Sequence, residues 1–383
     1  MLGPGALTTH LADLGADVIK VEPPNGDYIR EMTWPWVEGV SLMHLHISRG
    51  KRSIVIDLRT EEGRQTFLDL VRDADAVVEA MRPGGLDKRG VGYEACKAVN
   101  PKIVFCTISG YGATGPYREL PSHGIAYDTW AGLVDPITTE DGFTEMPAHP
   151  NVGINVGPLF GALGLLAGVI RARETGEGCS LEIAQSDAAA VMDWLGPETY
   201  RAYERPEDVV TGNKSDGYAR REPGTAGMSG GVRYQMYDSS DGVVLFMASE
   251  QAFWKNFCEG VGRPELFEAH PGSKYADHAR GNVELRRELV EIFRTRTSDE
   301  WIDFGIEVNT PIAPVNTTKS IATDRQFLDR LEWLKIEDVG CEQLPIPIKF
   351  LDVELPTPTM SPTLGQHTDE ILAELADRRA ADK

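Results

Sequence analysis

The strongest constraint on this chain is an ordered alternation of strand-like and helix-like segments along its N-terminal part. Asp17-Val-Ile-Lys-Val-Glu22 alternates apolar and polar residues as a strand does, and Pro23-Pro24-Asn25-Gly26 stops it. Ser53 to Leu58, Ala76 to Glu79 and Lys102 to Ile108 read as further strands. The segments between them carry helical spacing. Leu7 to Leu14 predicts a short amphipathic helix stopped by Gly15. Thr60-Glu61-Glu62 opens a second helix with an acidic first turn and an apolar face of Phe67, Leu68, Leu70 and Val71, and Tyr93 to Ala98 predicts a third. Such alternation predicts βαβ units around a mainly parallel sheet. Ligands of these folds lie where loops leave the carboxyl ends of the strands. Two of those loops are glycine-rich, Arg82-Pro-Gly-Gly85 and Ser109-Gly-Tyr-Gly-Ala-Thr-Gly-Pro116, and each reads equally well as a turn or as a binding loop.

Further along, Gly157 to Arg173 predicts an apolar helix buried on the sheet, with Gly161, Gly164 and Gly168 allowing close backbone approach. Ser180 to Ile183 returns as a strand. Arg205 to Gly231 is loop-rich, Val232 to Tyr237 and Val243 to Ala248 form a hairpin across Asp241-Gly242, and helices follow at Gln251 to Gly260, Val283 to Arg294 and Asp299 to Ile306. The fold class is therefore α/β: a large domain over residues 1–204, a smaller α+β domain over 205–318, and a return to the large domain over 319–383. That last part is rich in proline and ends in a helix beginning near Thr368.

Composition limits the function classes. Against 38 Lys and Arg stand 59 Asp and Glu, a net charge of −21 that opposes general nucleic-acid binding. The five cysteines, Cys96, Cys106, Cys179, Cys258 and Cys341, have no C-x-x-C spacing, so neither a disulfide framework nor a metal site is expected. Cys106 reads as a small buried hydrophobe. Met1 to Gly5 lacks the basic start of a secretory signal, and the longest apolar run, Pro158 to Ile170, falls short of a bilayer span. A cytoplasmic protein without a membrane partner is expected.

Seven stretches stand out together: Leu11-Ala-Asp-Leu-Gly-Ala-Asp-Val-Ile-Lys-Val-Glu22, Arg49 to Leu58, Arg82-Pro-Gly84, Ser109 to Tyr117, Thr175-Gly-Glu-Gly178, Gln185-Ser-Asp-Ala188 and Pro362 to Leu372. In order and spacing they resemble the class III CoA-transferase superfamily of CaiB/BaiF type, which is related to formyl-CoA transferase and α-methylacyl-CoA racemase. The resemblance implies a Rossmann-like large domain plus a small domain, two chains interlaced as a homodimer, and coenzyme A bound as acyl-CoA beside a small carboxylic acid. It also implies a strand ahead of Leu2-Gly-Pro4, which this sequence lacks.

For the reaction, the resemblance implies CoA transfer through an aspartyl anhydride. The matching stretch, Asn151-Val-Gly-Ile-Asn-Val-Gly157, contains no Asp or Glu. Its acid position falls between Gly153 and Asn155, so Asn155 is either a group orienting the thioester carbonyl or a turn residue before the helix. His123-Gly-Ile-Ala-Tyr127 matches the racemase histidine motif, and His123 is either an acid/base for α-proton exchange or a loop residue capping a helix. Glu250 matches a glutamate that the family places near this histidine, and it also suits a helix start. Asp128 reads as a helix-surface residue and Asp187 as structural. Gly224 to Gly231 resembles a glycine lid over the thioester, or is a linker. For CoA, the resemblance points to Ile56, Arg82, Pro83, Gly84 and Lys88, with cationic side chains suited to the ADP phosphates; Arg82 and Lys88 also read as solvated surface charges. The usual basic residue after Glu22 is Pro23 here, and the usual Asn after Glu79 is Ala80. The rival readings are a racemase and a non-catalytic acyl-CoA-binding protein or subunit.

Overall fold

The computed structural model describes residues 2–212, 218–220, 230–272 and 278–381. The chain divides into two compact units, Met1–Trp194 with Asp329–Lys383, and Leu195–Leu328.

In the first unit five strands run parallel. β1 (Val18–Glu22) pairs with β2 (Lys51–Val55), and β3 (Ala76–Glu79), β4 (Val104–Ser109) and β5 (Cys179–Ala184) form a second sheet in that order. The parallel arrangement agrees with the sequence pattern, but the strands hydrogen-bond as two sheets. β2 ends earlier than its apolar run: Ile56 N–H makes the last bond to β1, to the Glu22 carbonyl at 2.9 Å, and Asp57 then opens a turn closed by Thr60 N–H. Thr60 then caps the next helix, its Oγ1 accepting Gly63 N–H at 3.0 Å.

The helices that accompany these strands include α1 (Leu2–Asp13), α2 (Leu42–Ser48), α3 (Glu61–Arg72), α4 (Tyr93–Val99), α5 (Ala126–Trp130), α6 (Val152–Thr175) and α7 (Gln185–Met192). α1 starts five residues before its apolar spacing. Its first turn is built on Gly3 and Gly5, whose missing Cβ atoms would lie 3.1 Å from Ile108 Cγ2 and 2.8 Å from Ile47 Cδ1. α6 uses the same device. A Cβ at Gly161 would meet Leu7 Cδ1 at 2.5 Å, and one at Gly168 would meet Val104 Cγ1 at 2.7 Å. Leu7, Leu11, Val104, Cys106, Ile108, Ala162 and Leu165 fill the space so made. Burial pushes the Cys106 thiol up to about 12, in keeping with a packing role. The outer face of α6 is apolar as well, with Leu159, Leu163, Leu166 and Ile170 exposed. At 24 residues α6 is long and apolar enough to cross a membrane by length and composition alone, which the shorter apolar run did not suggest.

The C-terminal return covers the edge of β2. Ser53 N–H donates to His367 Nδ1 at 3.1 Å, His367 N–H donates back to the Ser53 carbonyl at 3.0 Å, and Val55 N–H donates to Thr368 Oγ1 at 3.2 Å. Ile371, from the helix Thr368–Ala381, packs on Ile54 and Ile56. Beneath lies a polar clasp. The Glu22 carboxylate, 1% exposed, accepts two bonds from Arg30 at 2.9 and 2.6 Å and one from Ser53 Oγ at 2.7 Å. Arg30 also donates to His44 Nε2 at 3.2 Å and to the Pro362 carbonyl at 3.1 Å.

The second unit is a three-stranded antiparallel sheet, Tyr234–Asp238, Val243–Met247 and Ile312–Pro314, packed with helices that include Gln251–Gly260, Val283–Phe293 and Ser298–Glu307. Its core is aromatic: Tyr237, Phe246, Trp254, Phe257, Phe293, Trp301 and Phe304 are all buried.

Candidate functional site

The segments that follow β4 and β5 carry His123, Asp128, Asn155 and Asp187. After β4 the chain turns on Gly112, where φ is +89° and the N–H donates to Ser109 Oγ at 2.9 Å. The Ala113 amide is fixed by Glu182 Oε2 at 2.9 Å, and the Gly110 carbonyl accepts the Ser186 N–H at the head of α7 at 3.0 Å. Tyr111 on this loop sets its ring edge-on to Tyr117, Tyr127 and Trp130, at centroid distances of 5.8, 6.1 and 6.3 Å. His123 lies exposed just before α5, its carbonyl accepting the Ala126 N–H at 3.1 Å.

Two sequence expectations change here. Asn155 is not a turn residue ahead of the helix: it sits within α6, exposed, with Nδ2 donating to the Asn151 carbonyl at 2.6 Å. Gly153 points the other way, where a Cβ would meet the Gln185 carbonyl at 2.7 Å and Tyr127 Cβ at 2.9 Å, so no side chain fits there. Asp128, expected on a helix surface, is 0% exposed. Its Oδ1 accepts the Gly153 N–H at 2.7 Å and its Oδ2 the Val152 N–H at 2.8 Å, so it satisfies two of the amides that a helix start leaves free. Asp187 is exposed and accepts from Ser186 Oγ at 3.2 Å.

Two groups here escaped the sequence reading. His149 places Nε2 3.3 Å from Asp128 Oδ2, without hydrogen-bond alignment. Gln185, 7% exposed at the head of α7, has Oε1 buried without a partner among the described residues. His149 lies in no recognisable motif, whereas Gln185 opens the Gln185-Ser-Asp-Ala188 stretch, where the sequence drew attention to Asp187 instead.

The residues assigned to coenzyme A fall on two loops. Arg82, Pro83, Gly84 and Lys88 share one turn at the carboxyl end of β3, where Gly84 has φ +74° and its carbonyl accepts the Lys88 N–H at 3.1 Å. Arg82 and Lys88 are exposed. Ile56, 5% exposed, puts its side chain into the core with Ile54 and Ile371. Beside the turn, burial raises the Glu79 carboxyl above its usual range, against the Thr107 and Met81 hydrogen bonds that lower it. Glu250 belongs to the second unit, where it is the N-cap residue of Gln251–Gly260 with no side-chain capping bond. Most of the glycine segment 224–231 lies outside the described residues. Among the described residues no group of His, Cys, Asp and Glu is arranged to hold a metal ion.

The model of CoA-transferase family III matches residues 1–368. The chain belongs to that family. Enzymes of this family act on CoA thioesters and carboxylic acids. A succinyl-CoA:mesaconate CoA-transferase of Haloarcula hispanica is 32% identical over 96% of this chain and 91% of its own. A human succinyl-CoA:glutarate CoA-transferase is 29% identical over 98% of this chain and 83% of its own. The crystal structure of a CaiB/BaiF family protein from Brucella suis superposes with a TM-score of 0.75 at 29% identity, covering 97% of this chain and 95% of that one. The α/β fold is thus shared with these neighbours.

Proposed function

We propose that this chain transfers coenzyme A from an acyl-CoA to a small carboxylic acid, with the acceptor itself acting as nucleophile. The family match along nearly the whole chain carries the first half of this reading. The state of Asp128 carries the second. The stretch Asn151 to Gly157 offers no carboxylate, and the one buried against it has both oxygens engaged by helix amides. The acceptor carboxylate attacks the donor thioester carbonyl, forming a C–O bond as the C–S bond breaks, which gives a mixed anhydride and CoA thiolate. The thiolate then attacks the acceptor carbonyl of the anhydride and expels the donor acid. Atoms and charge balance without an acyl-enzyme. Arg82 and Lys88 would meet the ADP phosphates of CoA.

The leucine-rich outer face of α6 supports a homodimer, because a stripe of this kind is costly to leave in water. A second copy would also complete a site exposed in the single chain, and the cytoplasm is the compartment that suits it.

Acceptor acid carrying two 18O atoms tests the route in a single turnover. One label is expected in the released donor acid. Label retained on the enzyme would instead mean that a protein carboxylate relays the acyl group. The racemase reading keeps one foothold, an exposed His123 just before α5. It predicts α-deuterium uptake from heavy water that His123→Ala abolishes. Tight acyl-CoA binding with neither exchange would leave the non-catalytic reading.

A further inference from the structure

From Glu119 to Ile170 the chain contains neither lysine nor arginine, and this stretch supplies α5 and most of α6. It contains six acids: Glu119, Asp128, Asp135, Glu140, Asp141 and Glu145. Arg118, just ahead of it, pairs with Glu119 at 3.2 Å. Its histidines are His123, exposed before α5, and His149, whose Nε2 is enclosed. The surface beside α5 is aromatic instead. Tyr117 and Trp130 are each 48% exposed and stand edge-on to the half-buried Tyr111. The inner rings engage their hydroxyls within the protein: Tyr111 donates to the Ala126 carbonyl at 3.4 Å, and Tyr127 accepts from Ser122 Oγ at 3.5 Å. What these rings offer a ligand is therefore mostly hydrocarbon.

A second observation at the same place points to a ligand. Gln185 is 7% exposed, and its Oε1 is buried without a partner among the described residues. Gln185 adjoins the ring cluster: a Cβ on Gly153 would meet both the Gln185 carbonyl and Tyr127 Cβ, and the next residue, Ser186, donates its N–H to the Gly110 carbonyl beside Tyr111. A buried amide oxygen without a donor is costly, and an N–H or O–H of a bound molecule would satisfy it. We propose that the rings of Tyr111, Tyr117 and Trp130 recognise the acyl group, and that the acid served is an aromatic or apolar monocarboxylate. This rests on the transfer reading above. The two transferases compared above are named for succinate, mesaconate and glutarate, each with two carboxylates. When one carboxylate is acylated the other stays charged, and leaving water it needs a cation. The stretch here meets it with acids and ring faces.

The test measures, in the full chain, exchange of a radiolabelled acid into its own thioester, for phenylacetate with phenylacetyl-CoA and for succinate with succinyl-CoA. The kcat/KM should favour the phenylacetyl pair by about 100-fold. Trp130→Ala should lower that preference by about 10-fold, through KM for phenylacetate and not through kcat. Trp130→Arg, which sets a cation among the rings, should turn the preference toward succinate. Trp130 is half exposed, so both variants should fold, and sedimentation velocity reads their oligomeric state. A wild type that prefers succinate overturns the proposal. So does a preference that neither variant moves, or variants that change the oligomeric state and leave the preference alone. Absence of exchange with both pairs counts against the transfer reading instead. Calorimetric titration with phenylacetyl-CoA and succinyl-CoA then still decides recognition, because it needs no turnover: tighter phenylacetyl-CoA binding that weakens in Trp130→Ala sustains the proposal, and equal binding overturns it.

Discussion

The two units differ in what they bury most densely. The second unit packs aromatic rings: Phe257 stacks on Trp254 and Phe293 with centroids 5.8 and 5.4 Å apart, and Trp301 sits 4.8 Å from Phe293. The first unit buries charge. Besides the Glu22 clasp, Asp13 and Arg49 form a two-pronged ion pair with side chains 2% and 3% exposed. Aromatic burial is non-directional and almost blind to pH, whereas a buried ion pair works only while each partner keeps its charge. The second unit also buries a charge, Arg233, but a guanidinium does not titrate in this range, so the buried carboxylates of the first unit are the ones that tie stability to pH.

The largest effect should come from the aromatic core. Trp301→Ala removes a fully buried ring and its 2.7 Å bond to the Phe293 carbonyl, and should cost about 4 kcal/mol by chemical denaturation, equally at pH 7 and pH 5. A loss that grew on acidification would break the comparison.

Glu22→Gln should cost about 2 kcal/mol at neutral pH by leaving the half-buried Arg30 without its anion. Burial works to raise the Glu22 pKa, but Arg30, Lys20 and Ser53 overcome it and hold the carboxyl at about 2. Its folded value lies below its unfolded one, so its stabilisation is present above about pH 4.5 and is lost as pH falls toward 2. Burial, aided by Lys20 and Arg30, lowers His44 to about 4, so that contribution is full above pH 6.5 and lost on the way to 4. Hydrogen exchange followed by mass spectrometry from pH 7 to pH 3 should show β1 and β2 deprotected before Val243–Met247 does. Simultaneous opening of both would contradict the contrast.

The smallest effect sharpens it. Thr297 and Glu300 form a reciprocal capping box at the start of Ser298–Glu307. Thr297→Ala should lower stability by about 1 kcal/mol, read in the second unit alone.

Much of the framework was legible in the residues. The order of parallel strands, the hairpin across Asp241-Gly242 and the last helix at Thr368 follow from local spacing and turn chemistry, which act over a few residues. The start of α1 was not legible, since Gly3 and Gly5 contribute by lacking side chains and leave no apolar period to detect. Asp128 was misread for a different reason. A short helix with an acid beside a tyrosine looks solvent-facing, and nothing nearby reveals amide partners 24 and 25 residues downstream. His149 is hidden in the same way, since its neighbour 3.3 Å away is Asp128, 21 residues upstream. The candidate site thus depends on contacts between distant segments, while the fold depends mostly on near ones.

Lys51 gives a different view of an enzyme that handles activated acyl groups. Burial lowers its pKa well below the ordinary lysine range, which makes an amine a better trap for thioesters. Its ammonium is nevertheless walled in, donating to the Gly5 carbonyl and Thr8 Oγ1 at 2.7 Å each and to the Ile47 carbonyl at 2.6 Å. The protein is thereby shielded from acylating itself at a vulnerable nitrogen. An acyl mark on Lys51 would be a chemical record that α1 and α2 had come apart.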